Sequence, residues 1–426
     1  MKELVKLADT GGENAKDALA VLKRLKGQGV PEAIATELAA AKGPLRDLLM
    51  EAAAVQPVKE SLVTLTGIAV NEPGDARNKA LDALATGGTP NDVPELLKQA
   101  AKFPDETSRK AFYKTIEKLL AKQPNHDDRA KVLGAALQGA PAAVRPAIFR
   151  LLGACGSSDA NIVLAKEITA GGDRRKSALD ALKTWNTPNA TLADAILEAA
   201  QAGDRDVLTG AYCRTVTRVP SMTGAEIVAG LRKAVPLADN GKAREEFVAA
   251  LGTLGSREAA DFAAELAGGA DAVIAAVVKP VVVKITTQAG QASTLIAGDN
   301  VLDGRDAVII SDGKDAEYSS TVRYVTGWRS PHTRIAWDVV IASPVTVEIE
   351  ILQSALRKEH SYFFSAGNVS VEKEVTVTKN TDDFARVNLG KFTLSRAGSW
   401  RLWLEPGRMT ENEALLNVRN LTVRVE

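Results

Sequence analysis

"ALDALKTWNTPN", residues 178–189, has a near copy 98 residues earlier, "ALDALATGGTPN" at 80–91. Self-similarity at a fixed offset is the signature of a repeat architecture. In each copy the apolar residues recur at helical spacing, so that Ala178, Leu179 and Leu182 form one stripe. "NTPN" (186–189) then breaks the chain before "LADAILEAA" (192–200) opens a second helix, and "TGGTPND" (86–92) plays the same part in the earlier copy. Working outward, units begin near Thr10, Gly43, Asp75, Asp105, Ala140, Asp173, Asp204 and Asp239, in steps of 30 to 35 residues. Asp173 is read as an N-cap, its carboxylate accepting from the free N–H groups of the first turn. A helix pair with one apolar stripe cannot bury it alone and must stack on its neighbours, with many Ala residues allowing close approach. This predicts an all-α solenoid of about eight helix pairs over residues 1–279, elongated and curved.

The motif "R..AL.AL" followed by a turn, seen in "RNKALDAL" (77–84) and "RKSALDAL" (175–182), resembles that of HEAT repeats, especially the short bacterial kind related to phycobilisome-lyase repeats. The resemblance covers about residues 1–275. It implies a surface for a protein partner, or a spacer, and no lyase activity, since no nucleophile–base set accompanies it. Cys155 and Cys213 fall two units apart and read as small core residues, not as a disulfide.

From residue 280 the grammar changes. "VVVKITTQ" (281–288), "DAVIIS" (306–311), "STVRYV" (320–325), "RIAWDVVI" (334–341), "VTVEIEIL" (345–352), "VSVEKEVTVT" (369–378) and "LTVRVE" (421–426) are β-branched runs with frequent period-two alternation. Gly, Asn, Asp and Pro separate them, as in an antiparallel sandwich. The junction is read at Lys279-Pro280, with a β-sandwich over 280–426.

Two of the five tryptophans lie nine residues apart in "GWRSPHTRIAWDV" (327–339). Ile335, Trp337, Val339 and Ile341 share one face of a strand, which makes Trp337 a core residue. Trp328 stands among turn formers, at a loop or rim, either contacting a ligand or covering the sandwich edge. Trp400 alternates with Leu402 and Leu404 and reads as core. Trp403 falls on the opposite face with Arg401 and Glu405, either as a sugar platform or packed against the solenoid or a loop. His332 is a further hydrogen-bonding candidate. "HSYFF" (360–364) reads as a strand spanning both faces, and Trp185 as packing between repeats.

"YVTGWRSPHTRIAWDV" (324–339), "VNLGKFTLSRAGSWRLWLEP" (387–406) and "ALLNVRNLTV" (414–423), in that order, resemble galactose-binding-like carbohydrate-binding modules. They are similar in particular to the sandwich modules at the ends of bacterial glycosidases, sulfatases and HEAT-repeat proteins. The resemblance implies a jelly-roll sandwich and a glycan ligand. It carries the cleft asparagine onto Asn417 and the loop aromatic onto Trp328, with Tyr324 as a second wall. A pyranose offers an apolar C–H face to a ring, while an amide donates to and accepts from hydroxyls. Calcium-binding relatives open with a Glu-x-Glu strand and carry an acid two residues after the asparagine. Here stand "TLIAGDNVLDG" (294–304) and Arg419, so no structural calcium is expected.

Lys and Arg total 53, as do Asp and Glu, so no basic footprint for nucleic acid is visible. Three scattered histidines give no zinc-site pattern, and no cofactor is expected. "AVIAAVV" (272–278) is too short to cross a bilayer. "MKELVKLADTGGENAKDALAVLKRL" (1–25) reads as an amphipathic helix pair, not a signal peptide. There is no phosphate loop, nucleophile elbow or His-Glu metal motif, and "SSDAN", "GDRD" and "TDD" read as turns and caps. The expectation is a non-catalytic protein, periplasmic or extracellular in a bacterium through the glycan resemblance and otherwise cytoplasmic, with a purely protein-binding scaffold whose sandwich has lost sugar binding as the alternative.

Overall fold

The computed structural model describes residues 2–9, 12–25, 27, 29–183, 185–311, 316–410 and 413–426, so the unit start read at Thr10 lies outside it. The fold is helical up to Ala289 and an antiparallel β-sandwich beyond. The chain divides into two compact units, Met1–Cys155 and Gly156–Glu426.

The first unit is all helical. Gly12–Arg24, Val30–Ala40, Gly43–Val55, Lys59–Asn71, Asp75–Gly87, Val93–Gln99, Glu106–Ala121, His126–Leu137 and Arg145–Gly153 follow a short first helix, Lys2–Asp9. Helices pack on those two further along as well as on their neighbours, which is how stripes too narrow for a closed core are buried. Small side chains make the approach possible: Ala52 and Ala53 are fully buried, and a Cβ at Gly87 would lie 2.9 Å from the Ala54 carbonyl oxygen. Asp105 caps Glu106–Ala121 by accepting from the Ser108 N–H at 2.8 Å.

The second unit begins with eight helices: Ser158–Thr169, Gly172–Leu182, Ala190–Ala202, Arg205–Val216, Gly224–Ala234, Gly241–Leu251, Arg257–Gly268 and Ala272–Ala289. Asn189 caps Ala190–Ala202 by accepting from the Leu192 N–H at 2.9 Å. Asp173 does not cap its helix: Gly171 takes that position and Asp173 lies in the first turn, where its charge still favours the positive end of the dipole.

Residues 281–288, read above as the first strand, are helical. Ala272–Ala289 runs straight through Lys279-Pro280, the expected junction. Its β-branched run suits a strand by propensity, but Ile274, Ala275, Val278 and Ile285 bury against Gly241–Leu251 and Arg257–Gly268, and that packing overrides the preference. The continuation also gives one helix of 18 residues with mean hydropathy 1.5, long and apolar enough by composition to cross a membrane, against the shorter run read from the sequence.

Twelve strands follow among the described residues: β1 Ser293–Thr294, β2 Gly298–Asp303, β3 Val308–Ile310, β4 Glu317–Ser319, β5 Tyr324–Thr326, β6 Arg334–Ile341, β7 Val345–Ser354, β8 Ser361–Ala366, β9 Val369–Glu374, β10 Ala385–Leu394, β11 Gly398–Pro406 and β12 Asn417–Val425. One sheet runs β1-β6-β11-β8-β9, with β3 also on β6; the other runs β10-β7-β12-β5-β4, with β2 also on β12. Only the short β1–β6 pairing is parallel. Their inner faces meet in one core that includes Ile335, Trp337, Val339 and Ile341 of β6, Val347, Ile349 and Ile351 of β7, and Trp400, Leu402 and Leu404 of β11. Trp337 is 1% exposed and donates its indole N–H to the Asp303 carbonyl at 3.0 Å.

Candidate functional site

The outer face of the β6–β11–β8 sheet is occupied by the helices of its own unit. Arg334, Asp338, Arg401, Trp403 and Glu405, which alternation puts outside the sandwich core, are all turned towards this seam. Glu405 accepts from Arg218 at 2.7 Å, from Arg334 at 2.9 Å and from the Thr187 N–H at 2.9 Å. Its side chain is 1% exposed. Burial disfavours its charge, yet the two guanidiniums and the N–H more than compensate and hold its pKa below the usual glutamate range. Asn186 donates to the Pro406 carbonyl at 2.9 Å, and Arg401 grips Asp338 with two bonds of 2.8 and 2.6 Å. Gly156 and Gly255 fit here because they lack a Cβ: one would meet Phe363 at 2.7 Å, the other Asp338 at 2.2 Å.

This arrangement corrects one expected ligand contact. Trp403 is 1% exposed, with the Arg401 guanidinium 5.3 Å from its ring centre, so its outward face serves the seam and offers no platform to sugar. His332 lies beside Arg334, half-buried, with its backbone carbonyl accepting from that guanidinium at 2.7 Å and its ring uncommitted. Trp185, from the repeated turn, is buried and donates to Asn161 at 3.0 Å, as packing between helix pairs requires.

Trp328 is the second correction. It is fully buried and belongs to the sandwich core, with its carbonyl held by the Leu415 N–H at 2.8 Å. The turn formers around it do bend the chain, but the bend tucks the indole inward instead of presenting it at a rim. It cannot stack on a pyranose.

Tyr324 and Asn417, by contrast, are brought to one end of the other sheet. β5 and β12 are neighbours there, pairing Val325 with Val418. The segment between β9 and β10 covers both residues. Asn417 donates to the Ser354 hydroxyl at 3.1 Å, and Ser354 donates to the Thr381 carbonyl at 2.7 Å. Tyr324 donates to Asp382 at 3.2 Å. Burial and that carboxylate raise the phenol's pKa, which keeps the proton on the donor. Asn417 is 7% and Tyr324 6% exposed, so each shows little more than an edge to solvent.

The reachable aromatic at this end is one the sequence reading passed over. Phe384 is half-buried, packs edge-on against Tyr324 with ring centres 5.2 Å apart, and carries the Arg419 guanidinium 5.4 Å from its centre. Arg419 thus stacks on a ring where calcium-binding relatives would offer an oxygen ligand. Exposed Asn380, Asp382 and Asp383 precede it in the chain and bring amide and carboxylate groups to this segment. Among the described residues no group of three His, Cys, Asp or Glu side chains is placed to hold a metal ion. The two cysteines are buried, and burial pushes the Cys213 thiol up to about 12, far from a nucleophile's range.

No protein-family model and no curated protein matches the chain. Solved structures similar to its β region include carbohydrate-binding modules. A family 35 carbohydrate-binding module from Clostridium thermocellum is 15% identical over 30% of this chain and 98% of its own, with a TM-score of 0.23. A Podospora anserina GH26-CBM35 β-(1,4)-mannanase is 15% identical over 31% of this chain, with a TM-score of 0.24, and the alignment spans 28% of the enzyme's length. Human deoxyhypusine hydroxylase is 16% identical over 67% of this chain and 96% of its own, with a TM-score of 0.25.

Proposed function

We propose that this is a non-catalytic binding protein in which a HEAT-like helical array carries a sandwich module that binds carbohydrate at the Phe384–Tyr324–Asn417 end. The observation that carries this reading is the half-exposed ring of Phe384, packed on Tyr324 of β5, the strand beside Asn417's β12. The ligand is a neutral glycan, met by stacking on one face and hydrogen bonding at the edge. Such a ligand fits a periplasmic or extracellular setting. The test is a glycan array with the full chain, because an isolated 280–426 fragment would expose the Arg401–Trp403–Glu405 face. Phe384→Ala is expected to weaken a captured glycan about tenfold, the size of one lost stacking contact, with the fold kept and melting lowered only by the loss of the Tyr324 ring contact. Retention of full binding by Phe384→Ala and by Asn417→Ala would remove the proposal.

A second reading is favoured by the seam itself. The buried Arg218–Glu405–Arg334 cluster makes the sandwich one body with its helices, which suits a scaffold that binds protein only and uses the sandwich as a cap. Capture of no glycan by the folded full chain selects this reading.

A further inference from the structure

A second concavity lies on the helical side of the same unit, away from Phe384. It has a volume of about 480 Å³, within the range of small-ligand sites, and is bounded by Ala190–Ala202, Arg205–Val216, Gly224–Ala234 and the turn that carries Ser395 and Arg396. Its apolar lining is small: Ala193, Val216, Ala229 and Gly230 leave the space that larger side chains would fill.

Three polar groups in it have no hydrogen-bond or ion-pair partner among the described residues. Tyr212 is 2% exposed, yet its hydroxyl reaches the cleft beside Gly230, where a Cβ would stand 2.9 Å from it. Burial, with Cys213 and Asp194 nearby, holds the phenol protonated, so it is a donor awaiting an acceptor. Asp194, on Ala190–Ala202, and Lys233, on Gly224–Ala234, are exposed lining residues of opposite charge. The other two charged lining residues, Glu226 and Arg396, already pair with each other, and Arg396 also donates to the Ser221 carbonyl at 2.8 Å.

We infer that this cleft binds a short zwitterionic peptide, its ammonium on Asp194, its carboxylate on Lys233 and a backbone carbonyl on the Tyr212 hydroxyl. A free positive and a free negative charge in one cleft match a ligand that carries both, and a ligand of either sign alone would leave one of them unanswered. The phenol presents its hydroxyl and not its ring, so the stacking surface that a sugar needs is missing. The assignment goes beyond the carbohydrate reading and shares no residue with it.

The experiment titrates the full chain with free tripeptides differing at the central residue, with their N-acetylated and C-amidated forms, by calorimetry. At least one free tripeptide is expected to bind with a dissociation constant at or below about millimolar, and either cap to weaken it about tenfold, one lost charged contact. Asp194→Asn should abolish the penalty of N-acetylation, and Lys233→Met that of C-amidation. Both side chains are exposed, so the fold is expected to survive, with melting as the check. Tyr212→Phe should weaken binding several-fold without reversing either pattern. Absence of binding by every free tripeptide at millimolar concentration, equal binding of capped and free forms, or a full cap penalty in both charge variants would each overturn the assignment. None of these results touches the glycan reading, which is read out at Phe384.

Discussion

Removing the Glu405 carboxylate is the sharpest perturbation of the architecture. Glu405→Gln keeps the volume but leaves Arg218 and Arg334 facing a neutral amide, in a seam where their side chains are 11% and 5% exposed. Breaking a buried ion pair by deleting one partner costs about 3–5 kcal/mol, because the remaining charge stays buried and uncompensated. For a unit of this size, roughly 2–4 °C of melting temperature accompanies each kcal/mol, so a drop of roughly 6–20 °C is expected by calorimetry. Replacing all three residues together, as Glu405→Leu, Arg218→Met and Arg334→Met, removes the stranded charges and should recover much of the loss. The pH dependence has a definite sign. Because Arg218 and Arg334 lower the folded pKa of Glu405, its contribution is fully present above the ordinary glutamate range and is lost as pH falls through the lowered folded value. The wild-type and Glu405→Gln curves should therefore converge in acid and stay apart at neutral pH. A loss below about 1 kcal/mol at neutral pH, the worth of an exposed pair, or curves that stay parallel into acid, would show that the cluster does not hold the sandwich to its helices.

Other outcomes follow from single positions. Trp328→Ala, at a fully buried core site, should destabilise by about 3–5 kcal/mol, as Trp337→Ala should; near-wild-type melting of the Trp328 variant would return that indole to a rim. Adding EGTA should leave melting unchanged, since Arg419 occupies the face of Phe384 and the acid that calcium would need is missing; a fall reversed by calcium would reveal a site. Gly255→Ala should destabilise by forcing Asp338 from its two-bonded hold on Arg401, and unchanged melting would show that the carboxylate moves aside freely.

The parts of this fold that could be read from sequence are those where local pattern and packing agree. The turn "NTPN" both breaks one helix and supplies Asn189 to cap the next, so unit boundaries stand out. Strand β6 alternates cleanly because one face meets the sandwich core, and Trp337 was legible for that reason. Residues 281–288 misled because a β-branched run carries a propensity but no statement of its neighbours. Ile285 buries on a helix, and the run follows it.

The site was harder to read for a related reason. Sequence alternation separates the two faces of β11 but does not say what lies against the outer one. Arg401, Trp403 and Glu405 look like a polar face with an exposed indole until Arg218, Thr187 and Arg334 are set opposite. A carboxylate, an arginine and an aromatic at alternate positions on one strand can mark a solvated edge or a covered seam. The difference lies in partners about 70 to 220 residues away in the chain. Phe384 was missed by the opposite error. "TDD" reads as a turn, and a turn's last residue draws no attention until Tyr324 and Arg419 pack around its ring. The seam also constrains function. By burying the outer face of β6, β11 and β8 it leaves the Phe384 end, the exposed side of β9 and the outer face of the β10–β7–β12 sheet for a ligand. That last face is laced with Arg386–Glu350, Asn388–Glu348 and Arg424–Asp299 contacts that satisfy one another. The Phe384 end is the glycan site proposed above, and Phe384→Ala is the substitution that tests it.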